Sequence, residues 1–158
     1  MKEIMFSRVF PAYHPRKGEP TYFLEQMLKQ LITDGKATTE DLKGPFVDCS
    51  VLEDVGYKSH TVRKGHNFKP GDYFKPKVWT DKPYKSVKHQ FSPPVLVEKT
   101  FDFELTKADF IANGNRCGLK QLHRLAMNDG LTSEDFECWF NTAPFDGQII
   151  VWNATLEY

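Results

Sequence analysis

The sequence lacks any apolar run approaching the roughly 20 residues needed to cross a bilayer, so no membrane span is expected. No secretory signal is expected either, because the opening Met1 to Arg8 is short and charged. Cysteine is scarce: Cys49, Cys117 and Cys138 are odd in number and far apart. That pattern excludes a disulfide framework and the close pairs of a zinc site, and predicts three buried thiols in a reducing, cytoplasmic setting. His14, His66, His89 and His123 are scattered without metal-ligand spacing, so neither metal nor cofactor is expected. Net charge is also absent, as are internal repeats, low-complexity tracts and linkers.

What is present suits a packed globule. The length of 158 residues fits one domain spanning 1–158, and apolar residues make up 40% with 14% aromatic. The charges balance in total but not in place. Residues 58–90 hold nine Lys or Arg against Asp72 and Asp81, whereas 94–158 hold five basic against ten acidic residues. Such polarity permits a polyanion on one face.

Residues 3–10 read as a first strand, and 11–20, with three prolines, as a loop. Leu24, Met27, Leu28 and Leu31 recur at helical spacing, with Gly35 as the stop. Residues 36–55 are mixed, with a helical turn expected at Thr39 to Leu42. From Gly56 the texture turns to β. Lys69-Pro70-Gly71-Asp72 is a turn, and strands are expected at 72–79, 85–91, 94–105 and 110–112. Leu119, Leu122 and Ala126 mark a second helix stopping at Gly130. Thr132 with Asp135 opens a third, whose apolar face is Phe136, Trp139 and Phe140. Gln148 to Leu156 is the final strand, with Trp152 in the core. The order predicts an α+β fold whose mostly antiparallel strands close into a small barrel flanked by three helices.

The chemistry-bearing stretch is Gly56-Tyr57-Lys58-Ser59-His60-Thr61-Val62-Arg63. It gathers an amine, hydroxyls, an imidazole and a guanidinium where a loop enters the sheet, a usual place for ligand sites. Lys58 suits a base or an oxyanion donor, and Thr61 a nucleophile given such a base nearby. Arg63 suits bidentate recognition of phosphate or carboxylate, and His60 lies inside the same motif. The plain alternative is that these are ordinary surface cations and an ordinary strand threonine.

Gly56-x-Lys58-x-x-Thr61-x-Arg63, followed by the Gly71-Asp72 turn, resembles the signature of the ASCH superfamily, relatives of the PUA domain. Ala126-Met127-Asn128-Asp129-Gly130-Leu131-Thr132 is similar to the family segment that ends one helix with an acidic residue and begins the next. Phe6-Ser7-Arg8 adds a fainter similarity on the first strand. The resemblance implies a PUA-like β-barrel, a ligand that is RNA or a modified nucleoside, and a pocket to which Arg8, Gly56, His60 and Arg63 contribute. The family includes small bacterial amidohydrolases that remove the acetyl group from acetylcytidine. Carried over, their catalytic lysine, threonine and acidic residue are Lys58, Thr61 and Asp129. The aspartate is one methylene shorter than the family's glutamate, and a shift of about an ångström costs on the order of a hundredfold in rate.

Between 58 and 91, lysines interleave with Phe68, Tyr73, Phe74, Trp79, Tyr84 and Phe91. Lys75, Lys77, Lys85 and Lys88 are candidate RNA contacts, with aromatics to stack on bases. The alternative places Tyr73 and Trp79 in the core and leaves the lysines to solvate the other face. Three functions follow as expectations. One is hydrolysis of an acyl amide on a modified cytidine. Another is a non-catalytic RNA- or nucleotide-binding module. The third is an accessory domain of a phage or mobile element that binds a nucleotide signal.

Overall fold

Leu24, Met27, Leu28 and Leu31 share one face of a helix, and the chain coils there into α1, Phe23–Thr33. Its end is a Schellman motif. Gly35, at φ 72°, lets its own N–H reach the Ile32 carbonyl and that of Lys36 the Leu31 carbonyl. The computed structural model describes residues Met1–Tyr158 and divides them into two units. The first unit comprises Met1–Lys58 and Tyr73–Val95, the second Ser59–Asp72 and Leu96–Tyr158.

In the first unit, β1 (Lys2–Met5), β3 (Tyr73–Trp79) and β4 (Lys88–Gln90) form a sheet in the order β1-β3-β4. β1 runs parallel to β3 and β4 antiparallel to it, and the two-residue β5 at Val95 also pairs with β3. Phe74, Pro76 and Val78 alternate inward on β3 and are buried. Phe6, Phe23, Leu24, Met27, Leu28 and Leu31 are buried in the same unit. Two short 3₁₀ helices, Thr39–Lys43 and Cys49–Val51, fill part of the stretch between α1 and Gly56. Lys29 ties the latter end back to α1, donating to the Leu52 and Val55 carbonyls at 2.7 Å each.

In the second unit the order is β2 (His60–Lys64), β9 (Phe145–Val151), β6 (Lys99–Leu105), β7 (Phe110–Ala112) and β8 (Asn115–Arg116), with every neighbouring pair antiparallel. β9 lies between β2 and β6 and is buried from Gly147 to Val151, so it carries the near-continuous apolar run of a strand covered on both faces. Phe103 is fully buried among the rings of Phe110, Phe136, Phe140 and Phe145, with centroids 5.6–6.2 Å away. α2 (Leu119–Asn128) and α3 (Ser133–Trp139) complete the unit. The Thr132 hydroxyl caps α3 by accepting the Asp135 N–H at 3.1 Å.

The fold is α+β with three α-helices, but the expected closed barrel does not form, and the strands divide between two open sheets. The expected strand at 94–105 breaks at Val97 and Glu98. There the Val97 N–H goes to the Asp72 carbonyl and the Glu98 N–H to the Val151 carbonyl. The first strand stops at Met5, short of the expected 10, and the last runs 145–151 rather than 148–156. The thiols are a further correction: Cys49 is exposed, and Cys117 and Cys138 are half-buried. Trp152 is fully buried, as expected.

Gly147 precedes the expected final strand, yet it lies inside β9, paired with Lys64 on β2 and Phe103 on β6. A Cβ there would collide with the backbone at Arg63 and Lys64, so only glycine lets β2 approach this closely. Gly147→Ala is therefore expected to destabilise the protein by about 3 kcal/mol, read as a lowered urea midpoint. An unchanged midpoint would mean that β2 is not held against β9 in solution.

Candidate functional site

The segment that the sequence singles out is buried to an unusual degree. Lys58, Ser59, His60 and Thr61 are four consecutive polar residues, and none is more than 4% exposed. Lysine is rarely buried without compensation. Lys58, in the first unit, has its Nζ 4.2 Å from the Phe23 ring centroid and 5.9 Å from that of Phe6, so its amino nitrogen rests against aromatic faces. Its N–H donates to the Gln26 carbonyl at 3.2 Å. Gly56 is exposed with ordinary room for a Cβ, so nothing steric demands glycine there.

In the second unit, Ser59 is fixed at both ends of its peptide. Its N–H donates to the Asn128 carbonyl at 2.8 Å, and its carbonyl accepts from Trp152 N–H at 3.1 Å. β2 begins at the next residue. Alternation along β2 sends His60 and Val62 to one face of the sheet, Thr61 and Arg63 to the other. The structure therefore does not bring His60 and Thr61 to one side.

His60 does have company on its own face. Tyr158 Oη lies 2.6 Å from His60 Nδ1, and Asn128 Nδ2 donates to the same hydroxyl at 2.8 Å. The Tyr158 ring stands edge-on to His60 and Phe101, with centroids 5.4 and 5.3 Å away, and the Arg124 guanidinium lies 5.2 Å from its centre. Burial pushes the phenol well above its ordinary range, and the neighbouring Asp129 carboxylate adds to that rise.

Asp129 is placed by a second Schellman motif. It is the C-cap of α2, Gly130 follows at φ 82°, and Leu131 N–H reaches back to the Ala126 carbonyl at 2.9 Å. A carboxylate at this end opposes the helix dipole, so helix stability does not explain its presence. It is nonetheless 4% exposed, which makes it a buried acid at a helix C-terminus.

Arg8 is exposed in the first unit, with its guanidinium 4.5 Å from the centroid of Phe46. The buried Glu25 carboxylate accepts the Asp48 N–H at 3.2 Å, and burial raises its pKa despite the field of Arg8.

The lysines lie elsewhere in that unit. On β3 the outward residues are Tyr73, Lys75, Lys77 and Trp79. Tyr73 is 50% exposed and Trp79 half-exposed, so neither is a core residue as the alternative reading had it. Register puts Glu3 of β1 beside Lys75, and Lys88 of β4 beside Trp79, on this same face. Glu3 accepts from Lys77 at 2.6 Å and from Lys88 at 2.9 Å. Lys88 Nζ is also 5.6 Å from the Trp79 centroid, and Trp79 stacks obliquely on Tyr84 at 5.3 Å. Lys85 is exposed in the turn that precedes β4.

Sequence reasoning missed Glu3, Phe101, Arg124, Asn128 and Tyr158. Asn128 stood beside the singled-out Asp129, and Glu3 has the outward parity of β1. Tyr158 gave no local signal, because its role comes from a fold-back that no periodicity encodes. No cluster of three or more His, Cys, Asp or Glu side chains is gathered as a metal set, and no helix is long and apolar enough to cross a membrane.

The two lysine bonds hold the Glu3 carboxyl down from its ordinary 4.5 to about 2. A lowered folded-state value means that the contribution is present above about 4.5 and is lost as pH falls toward 2. Glu3→Gln should therefore be less stable than the parent at neutral pH, with the gap in urea midpoint closing across that acidic window. A gap independent of pH would overturn the ion-pair assignment. In comparisons with protein-family models, curated proteins and solved structures, nothing matches the chain.

Proposed function

We propose that the protein binds single-stranded RNA, with the outer face of the first unit's sheet as the surface that takes it. The observation that carries this reading is the outward row of β3, where every residue is aromatic or lysine: Tyr73, Lys75, Lys77, Trp79. Single strands are held by stacking of bases on aromatic faces and by cations along the phosphates. Lys88 and the 89% exposed Tyr84 extend both chemistries beyond β3, and Lys85 adds charge in the adjoining turn. The ASCH-like pattern of Gly56, Lys58, Thr61 and Arg63 points toward the same class of ligand and toward a PUA-like relationship.

Fluorescence anisotropy with a single-stranded oligouridylate tests this. Trp79→Ala should weaken binding by about 1–3 kcal/mol. Lys75→Ala should reduce the slope of log affinity against log salt by about 0.7 for its lost phosphate contact. A slope and affinity unchanged in both variants would remove the sheet face from consideration.

A second reading is supported by the burial of Lys58, Thr61 and Asp129. In it the protein is an amidohydrolase acting on an acylated cytidine. Thr61 Oγ1 attacks the acetyl carbonyl, and a general base, the role that the resemblance gives to Lys58, takes the hydroxyl proton and passes it to the departing exocyclic amine. Water then releases acetate from the threonine ester. Asp129 orients the exocyclic nitrogen, and Arg63 or backbone N–H groups receive the oxyanion. The check is chromatography of acetylcytidine incubated with the protein. Cytidine should accumulate with the parent and not with Lys58→Met, which keeps most of the side-chain volume. No turnover by the folded parent would leave the RNA-binding reading alone.

A further inference from the structure

The surroundings of Tyr158 are those of a site for a flat heteroaromatic ring. Its two ring neighbours, His60 and Phe101, meet it edge-on, and Arg124 adds a cation at one side. Its hydroxyl accepts an amide N–H from Asn128 and faces His60 Nδ1. The Asn128 amide nitrogen only donates, and His60 Nδ1 accepts the phenol proton in the tautomer that carries the ring proton on Nε2. A donor and an acceptor thus converge on one polar edge of an aromatic ring.

We propose that His60, Phe101, Arg124 and Asn128 form a nucleobase-binding cradle that Tyr158 occupies as an internal surrogate. A nucleobase presents an adjacent donor and acceptor on its Watson–Crick edge, so it answers both the Asn128 amide and His60 Nδ1, where the phenol must do so with one atom. The field of Asp129 reaches the phenol and disfavours its ionised form.

The surrogate is removable without breaking a sheet. Residues 152–158 belong to no strand or helix. Besides the two hydroxyl bonds, Asn113 Nδ2 donates to the Tyr158 carbonyl at 2.7 Å, and Lys99 holds the Leu156 carbonyl and the Glu157 carboxylate. These are side-chain bonds near the surface, and several are charged. Tyr158 is itself only half-buried. The cradle lies entirely within the second unit, so it is independent of the sheet face of the first.

Occupation from within lowers apparent affinity by the fraction of molecules in which the cradle is open. The experiment titrates cytidine, uridine, adenosine and guanosine separately by calorimetry into the parent, Tyr158→Phe and Tyr158→Ala. Tyr158→Phe retains the ring but loses both hydroxyl bonds, so it should bind at least one nucleoside about tenfold more tightly than the parent. Tyr158→Ala should gain at least as much, and adding Asn128→Ala to either variant should abolish the gain. Tyr158→Phe serves as the decisive variant if the alanine variant does not fold. Folded Tyr158→Phe with no gain for any of the four nucleosides overturns the proposal. A gain that survives Asn128→Ala would overturn it too, because the site would then not be the one described.

Discussion

The close approach of β2 to β9 at Gly147 is the constraint on which the second unit depends. β9 is covered on both faces and is the interior partner of β2 and β6, so any displacement of it disturbs both ladders. Where the two strands meet, the backbone at Arg63 occupies the space that a side chain at 147 would need. The ladder from Lys64–Gly147 to His60–Val151 then fixes which residues of β2 turn inward. His60 and Val62 share a face with Ile149 and Phe101, and Thr61 and Arg63 share the opposite one. Placement of the singled-out side chains is thus a by-product of one missing Cβ.

The first unit is organised by a different force. β3 is buried on one side through Phe74, Pro76 and Val78, and on the other it carries a charge array. Glu3 on β1 stands between Lys77 of β3 and Lys88 of β4 and draws both toward β1. Exposed ion pairs of this kind contribute little to stability, so their importance lies in holding long side chains in register across three strands.

The sequence made the helices legible because each carries both an apolar periodicity and an end signal. Gly35 and Gly130 take the positive φ expected of them, and Thr132 caps α3. Strand existence was legible at 72–79 and 110–112, beside the Lys69-Pro70-Gly71-Asp72 and Asn113-Gly114 turns. Three features were not. The break at Val97–Glu98 follows from backbone bonds to Asp72 and Val151, partners distant in sequence, so the sheet could not be seen to stay open. β2 was not delimited as a strand, because four polar residues in a row resemble a solvated segment until their burial is known. The face presented by Tyr73 and Trp79 depends on which parity of β3 meets the core, and both parities carry aromatics. Of the candidate site, Lys58, His60, Thr61 and Asp129 stood out by chemistry, whereas Tyr158 is tied to His60 by a fold-back across most of the chain.

Each unit is assembled from two separated stretches of chain, and this has a consequence for the order in which structure can appear during synthesis. The first unit needs Tyr73–Val95 before β1 acquires its partner strand, so β1 waits through the making of α1 and both 3₁₀ helices. β2 waits longer. Its only sheet partner is β9, and His60 meets Val151 just a few residues before Tyr158. Until then a strand with unpaired backbone groups and a buried-type polar segment is exposed to solvent and to other chains. Such long-range pairing is slow to form and vulnerable while it is incomplete. The lysine-rich stretch that follows, Lys69 to Lys88, gives the unfinished chain a strong like charge, and like charge keeps nascent chains apart.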